Sequence, residues 1–227
     1  MSERQSVILP VLNGAAYIAE AIGSALPQLS ADDEIVVIDN GSTDGTIAIV
    51  EAIGDPRIKL IAESQPGPAA ARNAGLKIAT GDLISFLDHD DSWPEGRNAG
   101  LLAALAANPE VDGAYGRFRV RVEPGCDDQG FGERDGILTP SALLHVHIFR
   151  RALVEATGMM DTTMKLGSDI DYLARLKHVG MRSAIYGGDA YLYRRHANNI
   201  TLDVAAKRAG SLGMLVRNLR RRRAGDA

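Results

Sequence analysis

Three stretches of this chain are almost wholly apolar, five to seven residues long, and each stops at a polar turn. Ser6-Val7-Ile8-Leu9-Pro10-Val11-Leu12 runs into Asn13-Gly14, Glu34-Ile35-Val36-Val37-Ile38 into Asp39-Asn40-Gly41-Ser42, and Leu83-Ile84-Ser85-Phe86-Leu87 into Asp88-His89-Asp90-Asp91. A continuous apolar run of this length reads as a strand buried on both faces, as in a parallel sheet. Helical spacing fills the gaps: Ile18, Ala21, Ile22 and Ala25 after Asn13 as a candidate cap, then Ile47, Ile49, Val50 and Ile53 after Ser42 or Thr43. Arg57 to Ile61 is a shorter strand, and Pro68 opens an Ala-rich helix ending near Gly81. The order βαβαβαβ implies an α/β domain with a mostly parallel sheet and helices on both faces, which binds ligands outside the carboxyl ends of its strands.

The second half has a weaker pattern. It predicts a helix from Leu101 to about Ala107, a strand over Gly113 to Val122, and a loop rich in Gly and Asp from Glu123 to Gly136. Helices are expected at Pro140 to Gly158 and Asp169 to Val179, and a late strand at Ala190 to Arg195. So long a loop favours a lid or acceptor-binding role over mere linkage.

The chain's 227 residues fit one such domain, and 45% hydrophobic with 24% charged residues excludes disordered and fibrous classes. No apolar run approaches the roughly 18 residues of a membrane span, and the first residues carry no leader pattern, so a soluble, uncleaved chain is expected. Cys126 is the single cysteine, which leaves no internal disulfide and makes the cytosol the expected compartment. The net charge of −4 is an average of unlike parts. Beyond Asp203 seven basic residues and one acid give the tail +6, which leaves the body at −10. Leu212, Leu215, Val216 and Leu219 form an apolar stripe beside Arg217 and Arg220 to Arg223, so the tail is expected to dock on its own domain, lie on the anionic inner face of a membrane, or mediate assembly such as a homodimer.

Asp88, Asp90 and Asp91 put three carboxylates in four residues after a buried strand, and a hard divalent cation would offset their repulsion. Mg²⁺ or Mn²⁺ suits such a turn, because it takes few carboxylates and completes its shell with water and phosphate oxygens; a solvated turn with a helix cap from Asp91 or Ser92 is the plainer reading. Asp39 ends the second strand at the ligand edge, where it is placed to accept from a base N–H; the rest of that block reads as an ordinary strand-to-helix turn. No GxGxxG follows the first strand and no P-loop sequence occurs, which argues against Rossmann dehydrogenases and P-loop enzymes. His145 and His147 form a His-x-His pair without an acidic or Cys partner at metal-ligand spacing, and Trp93 either stacks on a sugar ring or fills the core.

Together with Pro68 to Gly75, Gly158 to Asp161, Gly167 to Leu176 and Tyr193 to His196, these blocks resemble the family-two glycosyltransferases of the GT-A fold, over about residues 5 to 200. The resemblance implies a domain at 1–203, divided into a nucleotide-sugar-binding half (1–100) and an acceptor-binding half (101–203), with the basic tail at 204–227. It implies a donor pocket formed by Pro10, Leu12, Asn13, Asp39, Arg72, Asp88 and His89, with Asp88 near the ribose. Asp90 and His196 would hold the metal on the diphosphate, and Asp169 would be the general base that activates an acceptor hydroxyl; Trp93 and Asp171 are the weaker acceptor-side candidates.

The implied reaction is inverting, metal-dependent transfer of a sugar from a nucleotide-diphosphate donor, a UDP-sugar first, to a hydroxyl on a glycan, glycolipid or protein. No nucleic-acid partner is expected. Ser168 stands where the family often has Glu, Leu12 where it often has an aromatic, and Asn40 where a second Asp is frequent. Two other readings are a non-catalytic nucleotide-sugar binding module and a sugar-nucleotide nucleotidylyltransferase, although the Gly-rich basic loop that the latter wants after strand one is missing.

Overall fold

The computed structural model describes residues 3–126 and 143–199. Seven strands, β1 Gln5–Val11, β2 Glu34–Asp39, β3 Ile58–Ala62, β4 Leu83–Phe86, β5 Gly113–Val122, β6 His147–Arg150 and β7 Ser183–Arg195, form one sheet in the order β3-β2-β1-β4-β6-β5-β7. All pairings are parallel except those of β6, which runs antiparallel to β4 and β5. The strand order turns around between β1 and β4, so their carboxyl ends diverge into the crevice where such sheets place ligands. Every residue of β1, β2 and β4 is buried, as their unbroken apolar character predicts. Pro10 is tolerated in a central strand because pairing with β4 ends at Ile8.

Among the described residues, six α-helices cover the two faces. α1 Ile18–Ala25, α2 Thr46–Ile53 and α4 Arg97–Ala107 pack with Val7, Leu9, Ile35 and Val37 on one side. On the other side α3 Pro68–Ile78, α5 Arg151–Thr157 and α6 Ser168–His178 pack with Ile8, Val36, Ile38 and Phe86. The alternation of β1 between these layers is the strand period of two at work. α3 lies unusually close to the sheet: a Cβ at Gly75 would sit 2.7 Å from the Ile38 side chain and 2.8 Å from that of Ile8.

The second half departs from expectation in three places. Where one helix was expected over 140–158, a 3₁₀ turn at Leu144–Val146 leads into β6, and helix begins only at Arg151. His147, Ile148 and Phe149 are each 0% exposed, and a short run buried on both faces carries no period to separate strand from helix. β7 begins at Ser183, seven residues before the expected start, because its first half is partly exposed and broken by Gly187 and Gly188. α4 begins at Arg97, one turn early. Arg97 is 0% exposed, its guanidinium 3.7 Å from the Trp93 ring centroid, and it donates to the carbonyls of Ala190 (3.2 Å) and His147 (3.0 Å), to Asn98 Oδ1 (3.1 Å) and to Ser85 Oγ (3.4 Å). Burial lowers its pKa to about 9. The basic tail and most of the Glu123 to Gly136 loop lie outside the described residues, and no helix among those described is long and apolar enough to cross a membrane.

At the opposite, amino-terminal edge of the sheet, Glu34 is buried and accepts from Ser6 Oγ (2.6 Å), Thr80 N (2.6 Å) and Thr80 Oγ1 (2.9 Å), with Lys59 Nζ at 2.5 Å. Burial alone would raise its pKa, but the bonds from Lys59, Ser6 and Thr80 outweigh it and hold the carboxyl at about 2. A depressed carboxyl stabilises the fold above its unfolded pKa and loses that contribution as pH falls through the folded value, here from about 4.5 toward 2. Glu34→Gln should therefore lower stability at pH 7 by about 1–3 kcal/mol and flatten this acid limb, read by urea unfolding across pH.

Candidate functional site

The turns after β1 and β2 are laced together. Asn13, at φ 53°, donates its backbone N–H to Ser42 Oγ (2.8 Å), and its side-chain oxygen accepts from Thr43 N (2.8 Å). Gly14 N–H donates to Thr46 Oγ1 at 2.8 Å, and a Cβ at Gly14 would sit 2.5 Å from the ring of His89. His89 thus packs on the first turn. Asp39 closes an Asx turn, accepting from Gly41 N (3.2 Å) and Ser42 N (3.1 Å). Asn40 donates to the carbonyls of Glu63 and Gln65, both at 2.8 Å, and accepts from Gly67 N at 2.7 Å. An Asp there would have no hydrogen for either carbonyl, so this chain needs the amide. Pro10 is buried in β1, and the open part of its turn is Leu12, 51% exposed, with Asn13.

Each carboxylate of the acidic turn has its own partners. Asp88 Oδ1 accepts from Arg72 Nη2 at 2.6 Å, and Asp88 Oδ2 lies 3.2 Å from His145 Nε2. Burial works to raise the Asp88 pKa, but Arg72 and His145 outweigh it and hold the carboxyl well below the usual range. Asp91 is buried and accepts from Tyr191 OH and from the Arg194 N–H, both at 2.6 Å. Burial, then the charges of Asp90 and Asp88, push its pKa well above the usual value. Asp90 Oδ2 lies 3.0 Å from His196 Nε2 and 3.3 Å from Asn199 Nδ2, while its carbonyl accepts from Arg194 Nε at 2.9 Å. Ser92 and Leu192 exchange backbone hydrogen bonds, which ties the turn to β7.

Arg194 is itself anchored. It pairs with Glu20 (2.6 Å) and Glu123 (3.1 Å), and its guanidinium lies 4.9 Å from the Tyr17 ring centroid, whose hydroxyl donates to Glu123 (3.0 Å).

Asp90 and His196 fit a divalent cation. Asp90 Oδ2 and His196 Nε2 lie a hydrogen-bond length of 3.0 Å apart, a carboxylate oxygen and an imidazole nitrogen of the kinds that Mn²⁺ accepts. No group of three His, Cys, Asp or Glu among the described residues could hold an ion by itself. His196 Nδ1 is buried without a hydrogen-bond partner among the described residues, and the ring is steadied by Tyr17 at 4.7 Å between centroids.

Asp169 sits half-buried in the first turn of α6, after Gly167 at φ 79°. Burial acts to lower the Arg72 pKa, but Asp88 first and then Asp169 raise it, so Asp169 is electrically coupled to the Arg72–Asp88 pair. Both acceptor-side candidates are buried. Asp171 is 3% exposed and faces Arg175 Nε at 3.2 Å, in a brace that also binds the carbonyls of Thr157 and Met159. Trp93 is 4% exposed beneath Arg97, so its ring offers no face to a sugar.

The His-x-His pair separates: His147 is wholly buried, its Nδ1 donates to the Leu143 carbonyl at 2.9 Å, and burial lowers its pKa to about 3. His145, Tyr191, Arg194 and Asn199 were not among the expected site residues. Their partners lie far along the chain except within the His196 turn, so no local spacing announces them.

Tyr191→Phe should remove one of the two hydrogen bonds to the Asp91 carboxylate, together with the acceptor of the Asp88 N–H, and cost about 1–3 kcal/mol at neutral pH. The lost bond is one that lowers the Asp91 pKa, so protonation relieves the damage and the difference from wild type in urea unfolding should shrink as pH falls.

Residues 6–130 match the model of the family described as Glycosyl transferase family 2. The succinoglycan biosynthesis protein ExoO of Rhizobium meliloti (strain 1021) is 31% identical over 215 residues, covering 86% of this chain and 61% of that relative. The UDP-Glc:alpha-D-GlcNAc-diphosphoundecaprenol beta-1,3-glucosyltransferase WfgD of Escherichia coli is 36% identical over 116 residues, 51% of this chain and 46% of that protein. The structure of the mannosyltransferase PcManGT from Pyrobaculum calidifontis, in complex with GDP-Man and Mn²⁺, superposes with a TM-score of 0.70 at 22% identity, covering 97% of this chain and 65% of that one. The match thus spans less than two thirds of each relative's length.

Proposed function

Since the chain belongs to glycosyl transferase family 2, we propose that it transfers a sugar from a nucleoside-diphosphate donor to a hydroxyl acceptor with inversion at the anomeric carbon. The observation that carries this reading is the acidic turn at the β1–β4 crevice, with Asp88 gripped by Arg72 and His145 and Asp90 beside His196. UDP is the favoured nucleotide, because Asp39 suits a base bearing an N–H and the name of WfgD specifies UDP-Glc. That name also supports an acceptor sugar carried on a lipid diphosphate, and ExoO supports a place in surface-glycan synthesis.

In this reading Asp39 and the Leu12–Asn13 turn receive the base, and Asp88 accepts a hydrogen bond from the ribose. When bound at Asp90 and His196, Mn²⁺ or Mg²⁺ supplies Lewis-acid stabilisation of the departing diphosphate. Asp169 accepts the proton of the acceptor hydroxyl as its oxygen bonds to the anomeric carbon, opposite the bond to the diphosphate. A sugar hydroxyl is a weak nucleophile at neutral pH, and such a base contributes roughly 10²- to 10⁴-fold.

Asp169→Asn should lower transfer by about that factor with UDP affinity near wild type, measured by turnover and calorimetry on one preparation. Turnover at the wild-type rate would remove Asp169 as the base, whereas nucleotide binding by a wild type that never transfers would make the chain a binding module. Asp90→Ala should abolish the Mn²⁺ dependence of UDP binding; affinity that ignored both chelator and this substitution would remove the metal from the site.

A further inference from the structure

His145 reaches the site from the 3₁₀ turn before β6, in the half of the chain opposite the acidic turn. The residue is 5% exposed, and its ring stacks on Tyr191 with centroids 5.3 Å apart and planes 27° apart. Nε2 lies 3.2 Å from both Asp88 Oδ2 and Arg72 Nη2. That nitrogen donates to Asp88 when it carries a proton and accepts from Arg72 when it does not, so in either state it is tied to the pair. Arg72 holds only Oδ1 of Asp88. A carboxylate gripped by one oxygen can still swing about its own axis, and a contact at the second oxygen stops the swing.

We infer that His145 is a positioning residue, which locks the Asp88 carboxylate in the orientation that receives the donor nucleotide. The inference rests on the proposed role of Asp88 as a donor contact. Tyr191 buttresses the arrangement from the far side: its ring backs His145, and its hydroxyl accepts from the Asp88 N–H at 3.2 Å while donating to Asp91.

Calorimetry of the full chain with UDP, GDP, TDP and CDP, each with Mn²⁺, first identifies the tightest probe. That probe is then titrated into His145→Phe, His145→Gln, Asp88→Asn and the His145→Phe/Asp88→Asn pair. His145→Phe keeps a ring against Tyr191 and removes the nitrogen, and should weaken binding by about 10- to 100-fold, as loss of an orienting partner does. Thermal unfolding should stay near wild type, and His145→Gln, which carries a polar atom to the same place, should recover most of the affinity. In the Asp88→Asn background the Phe substitution should have no further effect, because it acts only through that carboxylate.

Equal weakening in both backgrounds, or none beside a weakened Asp88→Asn, overturns the positioning role and leaves Asp88 as a donor contact. Unchanged affinity in Asp88→Asn, or a wild type that binds none of the four, overturns the reading of Asp88 and the role of His145 with it. Should His145→Phe not fold, His145→Gln and His145→Asn run through the same cycle measure the same coupling to Asp88 and decide between the same outcomes.

Discussion

Three carboxylates within four residues can sit at the end of a buried strand only if each is answered separately. Asp88 is answered by Arg72 from α3 and by His145, Asp90 by His196 and Asn199, and Asp91 by Tyr191 and the Arg194 backbone. The three sets differ in kind. Arg72 and His145 hold the Asp88 carboxyl well below the usual range, burial pushes that of Asp91 well above it, and Asp90 faces an imidazole and an amide. One turn therefore holds its three carboxylates in three different ways, although the sequence repeats one residue type.

Four of those six answers come from the end of β7 and the turn just after it, about 100 residues downstream. β7 reaches the turn because β6 reverses direction beside β4 and brings β5 and then β7 to its flank. The parallel part of the sheet supplies the turns; the antiparallel insertion supplies their partners. Glu20 on α1 and Glu123 at the end of β5 then hold Arg194 in place, so the ionic network joins both faces of the turn.

What could be read from the sequence follows the range of the interactions. β1, β2, β4 and their turns were legible because buried parallel strands and Asx, Gly and Ser turns are local signals. β6 was not, since His147 to Phe149 are buried on both faces and carry no period. The sequence leaves Trp93 open between stacking on a sugar and filling the core, because the burial of Arg97 over its ring, four residues on, is not a local signal. Asp171 was settled by Arg175, an i,i+4 pair visible in the sequence, whose burial against α5 was not. His145 was weighed only as a metal ligand, since its partners Arg72 and Asp88 lie more than fifty residues away.

Arg97 has a bearing on how the molecule can move. Its guanidinium is buried with neutral acceptors, and it stitches α4 to β4, β6 and β7, across the boundary between the parallel strands β3-β2-β1-β4 and the β6-β5-β7 part of the sheet. Hinge bending along that boundary would strip hydrogen bonds from a cation with no water to replace them, a steep cost in a dry interior. The sheet is thus a rigid anvil rather than a clam.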